Sequence, residues 1–244
     1  MQKLRFLLLV SLLCFIIFPI DNSYAQEASP DTATEPHQEV VPDTVKDPHS
    51  KYTAKYESAD HSHCTAILIS STVALTAKHC GGDQPTTHNG RIYPGASGLS
   101  TPFGYMDIST YIPNPNYDIA ILKGTEADQS RDYHYYIKPF KTPVTALSDQ
   151  DLYGIMGLDV YAYGYPYKFS GYKQYRSDGS IYNYYQKATF VHTSLPTYEG
   201  QSGSGVFLKD GEFVGILITR TEKFEGNFLP FTQGIADWVN EHAN

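Results

Sequence analysis

The stretch Gly200-Gln201-Ser202-Gly203-Ser204-Gly205 runs directly into Val206-Phe207-Leu208. A Gly/Ser hexapeptide is most often a flexible turn. Placed immediately before an apolar strand, its glycines allow a sharp backbone turn that exposes a hydroxyl. Reading outward, Lys209-Asp210-Gly211-Glu212 predicts a tight hairpin through Asp-Gly, and Phe213 to Ile218 is the returning strand. The same pattern recurs upstream in Thr65–Ser70, Val73–Thr76, Asp118–Leu122 and Val160–Gly164. These are short β-branched or aromatic runs bounded by Gly, Pro, Asn or Asp, which read as strands. Many such strands with turn signals predict an all-β barrel or sandwich architecture. One helix stands out at the end, where Ile235, Trp238, Val239 and His242 share a face at i, i+3, i+4, i+7 spacing.

Two further stretches carry candidate chemistry. Leu75-Thr76-Ala77-Lys78-His79-Cys80 puts a histidine at the end of an apolar strand, beside a cysteine whose fellow Cys64 lies 16 residues upstream. A bridge between them would hold His79 in place and stabilise by about 3 kcal/mol on the loop-entropy model. Asn116-Tyr117-Asp118 opens the apolar run Ile119-Ala120-Ile121-Leu122. A half-buried Asp there needs a partner: an Asx-turn or backbone cap satisfies it locally, whereas a His would have its tautomer fixed by it. The glycines around Ser202 also aim backbone N–H groups at one point, as an oxyanion hole requires. Each stretch alone is weak. His, Asp and Ser in that order, each at a strand boundary, point to a nucleophilic triad.

The chain has 244 residues and a net charge of -8, from 18 Lys+Arg against 26 Asp+Glu. That sign argues against a nucleic-acid binder, which needs a basic stripe. Residues 1–25 read as a secretory signal peptide: Lys3 and Arg5 start it, Phe6 to Ile20 is an apolar run of 15 residues, and Ser23 and Ala25 supply the cleavage site. The run is short for a membrane span, which takes about 20 apolar residues. This implies a secreted, extracellular protein with no membrane attachment after signal removal. Of three cysteines, Cys14 then leaves with the signal, and an exported protein is free to oxidise Cys64 and Cys80. Residues 26–50 are acidic, with Pro30, Pro36, Pro42 and Pro48 at six-residue spacing, and predict an extended, poorly ordered propeptide or linker.

The stretches Thr76–Cys80 (TAKHC), Asp118–Leu122 (DIAIL) and Gly200–Gly205 (GQSGSG) resemble those of the trypsin-like, chymotrypsin-fold serine proteases. Ile92–Gly95, Tyr111–Leu122 and Tyr163–Pro166 are similar to the bacterial glutamyl endopeptidase subgroup. The resemblance covers residues 51–244 and implies two six-stranded antiparallel β-barrels with a C-terminal α-helix. It implies Ser202 as nucleophile, His79 as general base and acid, and Asp118 as its orienter. The N–H groups of Gly200 and Ser202 would form the oxyanion hole, and Cys64 and Cys80 the disulfide beside the histidine. Thr197, Leu217, Thr219 and Arg220 would line the specificity pocket. The implied activity is peptide-bond hydrolysis of polypeptide substrates by a monomer without cofactor. The subgroup's zymogen habit makes residues 26–50 a propeptide, with Glu39-Val40 as the processing bond. A narrow-specificity, exfoliative-toxin-like protease and a non-catalytic binding protein on the same fold are the alternatives.

Three departures stand out. Gln201 replaces the Asp of animal trypsins, so activation by a new N-terminus pairing with that Asp is excluded. Gly205 replaces a frequent Pro. Leu217 stands where the glutamyl subgroup has a histidine, and it cannot donate a hydrogen bond. Elsewhere, His61-Ser62-His63 lacks the third and fourth ligands a zinc site needs, so no metal is expected. Tyr161, Tyr163, Tyr165 and Tyr167 read as the aromatic face of a barrel strand. The segment Tyr172 to Tyr185 reads as a surface loop or hairpin near the cleft.

Overall fold

Many of the short strands are buried along nearly their whole length, as at Ala66–Ile69 and Val73–Leu75, so their sheets need cover on both faces, and a sheet curled on itself supplies it on the inner one. The computed structural model describes residues 34–243, and the predicted signal peptide lies outside them, as do residues 26–33 of the acidic segment. The first strand, β1 (His37–Val40), precedes an N-terminal sheet made of β2 (Thr53–Glu57), β3 (His63–Leu68), β4 (Val73–Thr76), β5 (Arg91–Pro94), β6 (Met106–Asp107), β7 (Thr110–Pro113) and β8 (Ala120–Lys123). Helices α1 (Arg131–Tyr136) and α2 (Asp149–Gly154) lie in the connection to the C-terminal half. That half comprises β9 (Asp159–Gly164), β10 (Tyr175–Tyr185), β11 (Phe190–Pro196), β12 (Gly205–Leu208), β13 (Phe213–Arg220) and β14 (Glu225–Pro230), and the chain ends with helix α3 (Gln233–His242).

The C-terminal strands close into a six-stranded antiparallel barrel in the order β9-β10-β11-β14-β13-β12, with β12 returning to β9. The N-terminal sheet runs β6-β5-β2-β3-β4-β8-β7 and forms a half-barrel. The two predicted barrels are thus present, one fully closed and one a seven-stranded half-barrel that includes the two-residue β6. The predicted Asp-Gly hairpin joins β12 to β13, with Gly211 at φ +96°.

The two halves have separate cores. Tyr56, Ile92, Met106, Ile108 and Tyr111 fill the first, and Val160, Ile181, Val191, Val206 and Phe228 the second. A third cluster joins them. Leu75, Ile119 and Ile121 from the N-terminal half meet Ile216, Leu229 and Phe231 from the C-terminal half, and α3 adds Ile235 and Val239. The predicted helical face therefore has a defined task, which is to cover the joint between the sheets.

Two expectations change. Residues 34–50 are not loose: Val41 is buried against Tyr161 and Tyr163, and Thr44 Oγ1 donates to Gly95 O at 2.7 Å. The acidic, proline-rich composition conceals an edge strand, because β1 needs only one partner, β10. The Tyr172–Tyr185 segment is mostly an 11-residue barrel strand rather than a loop. Its Gly179 and Ser180 lie against β11, where a Cβ at Gly179 would sit 2.8 Å from Leu195 N. Small residues here mark close strand approach, not a turn. Tyr161 and Tyr163 are buried as the aromatic face of β9, Tyr165 is buried just past its end, and Tyr167 lies further on and is exposed.

Candidate active site

The site forms where strand ends from both halves meet. His79 sits in a single 3-10 turn (Lys78–Cys80) just after β4. That turn is held from two sides. The Cys64–Cys80 disulfide ties it to the start of β3, and the single proton of the Tyr111 hydroxyl is shared between the carbonyls of Lys78 (2.8 Å) and Gly82 (2.7 Å). Tyr111 is wholly buried, so its hydroxyl must find acceptors.

Asp118 precedes β8. The local turn is satisfied by another residue: Asn114 Oδ1 accepts from the N–H groups of Asn116 (2.9 Å) and Tyr117 (3.0 Å). This leaves Asp118 free for His79. Its Oδ1 accepts from His79 N at 3.0 Å and its Oδ2 pairs with His79 Nδ1 at 2.8 Å. Burial opposes the Asp118 charge, but the hydrogen bonds and charge of His79 outweigh it and hold the carboxyl below its ordinary range. With Nδ1–H donating to a carboxylate, the lone pair of Nε2 faces away from Asp118, as a proton acceptor requires.

Ser202 comes from the opposite half, on the loop before β12. It lines the same cleft of about 490 Å³ as His79 and Asp118. Ser204, the other hydroxyl of the motif, is completely buried and cannot meet a substrate. The loop's two glycines at positive φ are fixed by close contacts. A Cβ at Gly200 (φ +91°) would lie 2.3 Å from Tyr165 O, and one at Gly203 (φ +88°) would lie 2.0 Å from Thr65 O.

The direction of the N–H groups follows from peptide planarity. Glu199 O accepts from Tyr167 N at 2.7 Å, so the Gly200 N–H of the same peptide points the opposite way. Gln201 O accepts from Ser204 N at 3.0 Å, which likewise sets the Ser202 N–H. Among the described residues neither N–H donates to a protein acceptor. Two oriented, unused donors beside a hydroxyl are what a developing oxyanion needs.

Several residues that hold this site have no local sequence signature. Thr65, fully buried in β3, donates through Oγ1 to Gly200 O (2.8 Å), accepts from Tyr165 N (3.1 Å), and donates through its own N–H to Ser202 O (2.9 Å). Thr76 Oγ1 in turn donates to Thr65 O at 2.8 Å. The one available signal was that a threonine in a fully buried strand must place its hydroxyl. Gln201 is fully buried, and its Oε1 accepts from Tyr198 N at 2.9 Å.

The cleft continues past Ser202 over Thr197, Tyr198, Glu199, Leu217, Ile218, Thr219 and Arg220. All four residues expected in the pocket are therefore gathered there, and Tyr198, Glu199 and Ile218 join them. Thr197 is buried and Thr219 exposed, and Arg220 Nη2 lies 3.6 Å from Glu199 Oε1. Gly226 keeps the wall thin, since a Cβ there would stand 2.5 Å from Thr197 Oγ1 and 2.9 Å from Leu217 Cδ2.

An imidazole paired with a carboxylate and a hydroxyl on a glycine-rich turn thus line one cleft between a closed β-barrel and a half-barrel. The chain matches the trypsin-like peptidase domain over residues 64–216 and belongs to that family. Its fold is similar to a Glu endopeptidase solved in complex with MPD, with a TM-score of 0.67 at 17% identity, covering 84% of this chain and 95% of that one. It is similar also to the protease Anisep from Arthrobacter nicotinovorans, with a TM-score of 0.66 at 15% identity, covering 85% and 99%. A thermostable serine protease, AL20, gives a TM-score of 0.62 at 16% identity, covering 79% and 97%. No curated protein sequence matches the chain.

Proposed function

We propose that the chain is an exported serine endopeptidase with Ser202 as nucleophile. His79 removes the hydroxyl proton as Ser202 Oγ attacks the scissile carbonyl. It then delivers that proton to the leaving amine, and an acyl-enzyme remains. Water, deprotonated by the same imidazole, releases the acid product. Asp118 fixes the His79 tautomer and stabilises the imidazolium, and the N–H groups of Gly200 and Ser202 take up the oxyanion charge. The observation that carries this reading is the His79–Asp118 pair at 2.8 Å opening onto the cleft that also holds Ser202. The charged start, apolar run and small-residue end of residues 1–25 support export.

For the residue N-terminal to the scissile bond (P1), an acidic side chain is the reading the pocket supports best. Leu217 offers only hydrocarbon, but among the described residues Arg220 is the single Lys or Arg on the cleft wall. Its present partner, Glu199, is strongly exposed, so a substrate carboxylate can take its place with little desolvation cost to Glu199. Arg and carboxylate form charge-assisted, often bidentate bonds. Hydrolysis of a peptide library by the wild type and by Ser202→Ala tests both parts. The expected result is cleavage after Glu or Asp that vanishes in the variant. Cleavage that persists in Ser202→Ala overturns the nucleophile. Cleavage confined to one or two sequences favours a narrow-specificity protease, and no cleavage by the wild type favours a binding protein.

A further inference from the structure

The barrel wall has a gap that β1 fills. Strand β10 pairs with β11 only over Ile181–Tyr185, while its other half, Tyr175–Ser180, pairs with β9. The free edge at Tyr175–Asp178 is taken by β1, with Gln38 opposite Ser177. Within β1, His37, Glu39 and Val40 are exposed and only Gln38 is half-buried, its side chain directed into the barrel. There Gln38 Nε2, with two protons to give, lies within hydrogen-bond distance of Ser177 Oγ (2.7 Å), Pro196 O (3.1 Å) and Gln201 Oε1 (3.1 Å). Ser177 Oγ donates to Pro196 O at 2.7 Å and accepts from Gln201 Nε2 at 3.3 Å. Gln201 is the residue joined to Ser202, and its peptide carries the Ser202 N–H.

We infer that β1 is a working part of the enzyme and that Gln38 is a positioning residue for the oxyanion hole, acting through Gln201. This rests on the protease reading above. The Gln201 carboxamide is fully buried and clasps its own loop through Tyr198 N. The groups that fix it from outside that loop are Gln38 and Ser177. Loss of the Gln38 donor leaves Pro196 O to Ser177 Oγ alone and Gln201 Oε1 to Tyr198 N alone, so the carboxamide keeps no tie to β1 and its loop gains room to relax. The consequence for maturation is opposite to the Glu39-Val40 processing expected from the sequence. Cutting that bond divides β1 and separates Gln38 from Val41, the next anchor to the barrel, so any removed segment ends before Thr34, whose N–H and hydroxyl are bound to Asp159.

The test compares the full chain with its Gln38→Met, Glu39→Ala and Val40-start variants, all exported under the same leader. Met keeps the length of Gln and lacks the donor. Gln38→Met is expected to lower kcat about five- to tenfold with KM within about twofold, because, of the Nε2 contacts it removes, only the one to Gln201 Oε1 bears directly on the nucleophile loop. Glu39→Ala, an exposed neighbour, is expected to keep wild-type kcat, and the active exported wild type is expected to contain Gln38 by intact mass. A Gln38→Met variant with wild-type kcat, or a Val40-start chain more active than the full one, overturns the inference and leaves the protease reading standing. A wild type that neither hydrolyses peptides nor reacts at Ser202 overturns both. If the Val40-start chain does not fold, the Gln38→Met kinetics decide alone.

Discussion

Thr65→Val is the sharpest probe of how the two halves share one site. The substitution preserves shape and removes a single hydroxyl. In the native protein that hydroxyl donates to Gly200 O at 2.8 Å and accepts from Tyr165 N at 3.1 Å, both at buried positions. Valine leaves a carbonyl and an N–H without partners, at about 1–3 kcal/mol each, or roughly 2–6 kcal/mol together. For a domain of this size each kcal/mol moves Tm by about 2–4 °C, so Tm falls by at least about 4 °C. Activity falls as well. Gly200 O and Ser202 O both answer to Thr65, and they bracket the peptide that carries the Ser202 N–H. Complete loss of one oxyanion donor costs about 10²–10³ in kcat, and partial misalignment is expected to cost about tenfold. Thermal unfolding at one scan rate and kcat on a single peptide are the assays. Thr65→Ser, which keeps the hydroxyl, is expected to recover most of both. A valine variant with Tm within about 1 °C of wild type and unchanged kcat would refute the claim that β3 holds the nucleophile loop.

Other perturbations have equally definite signs. Gly203→Ala must place a Cβ 2.0 Å from Thr65 O at φ +88°. The left-handed backbone alone costs about 1–2 kcal/mol, so the variant is expected to lose soluble folded protein or nearly all activity, measured by circular dichroism and hydrolysis. Replacing both Cys64 and Cys80 by Ser opens a loop of sequence separation 16. The expected cost is about 3 kcal/mol, seen as a fall in Tm of roughly 6–12 °C. The Asp118 carboxyl titrates below its ordinary value in the folded protein. Its contribution to stability is therefore fully present above the unfolded value of about 3.9 and is lost as pH falls through the lower folded value. The Tm gap between wild type and Asp118→Asn is expected to shrink between pH 7 and pH 3. Arg220→Ala is expected to raise KM for acidic P1 substrates with little change for neutral ones, read from a matched peptide pair.

Strong local patterns made much of this legible. The β12–β13 hairpin announces itself through Asp210-Gly211, and α3 through the spacing of Ile235 and Val239. His79, Asp118 and Ser202 sit at strand boundaries that composition marks, and the structure brings them to one cleft. Short elements were harder. Helices α1 and α2 have six residues each and depend on Ser130 and Ser148 as caps, with Ser148 and Asp151 forming a capping box that the sequence does contain. Strand β1 was hidden because the acidic, proline-rich zone around it reads as linker, and an edge strand needs neither an apolar face nor two neighbours. Strand β10 was hidden because Ser and Gly read as turn residues, whereas here they permit close packing on β11. The roles of Thr65, Gln38 and Ser177 depend on partners more than a hundred residues away for Thr65 and Gln38, and no local pattern encodes such pairings.

The central claim is that the cleft activates one hydroxyl. Treatment of the exported protein with a phosphonate or sulfonyl fluoride, followed by mass mapping of the adduct, addresses it directly. The account predicts a single adduct on Ser202, full loss of peptide hydrolysis in step with labelling, and labelling slowed strongly in Asp118→Asn, where the His79 tautomer is no longer held. An adduct on Ser204 or elsewhere, or hydrolysis that survives complete labelling of Ser202, would contradict it.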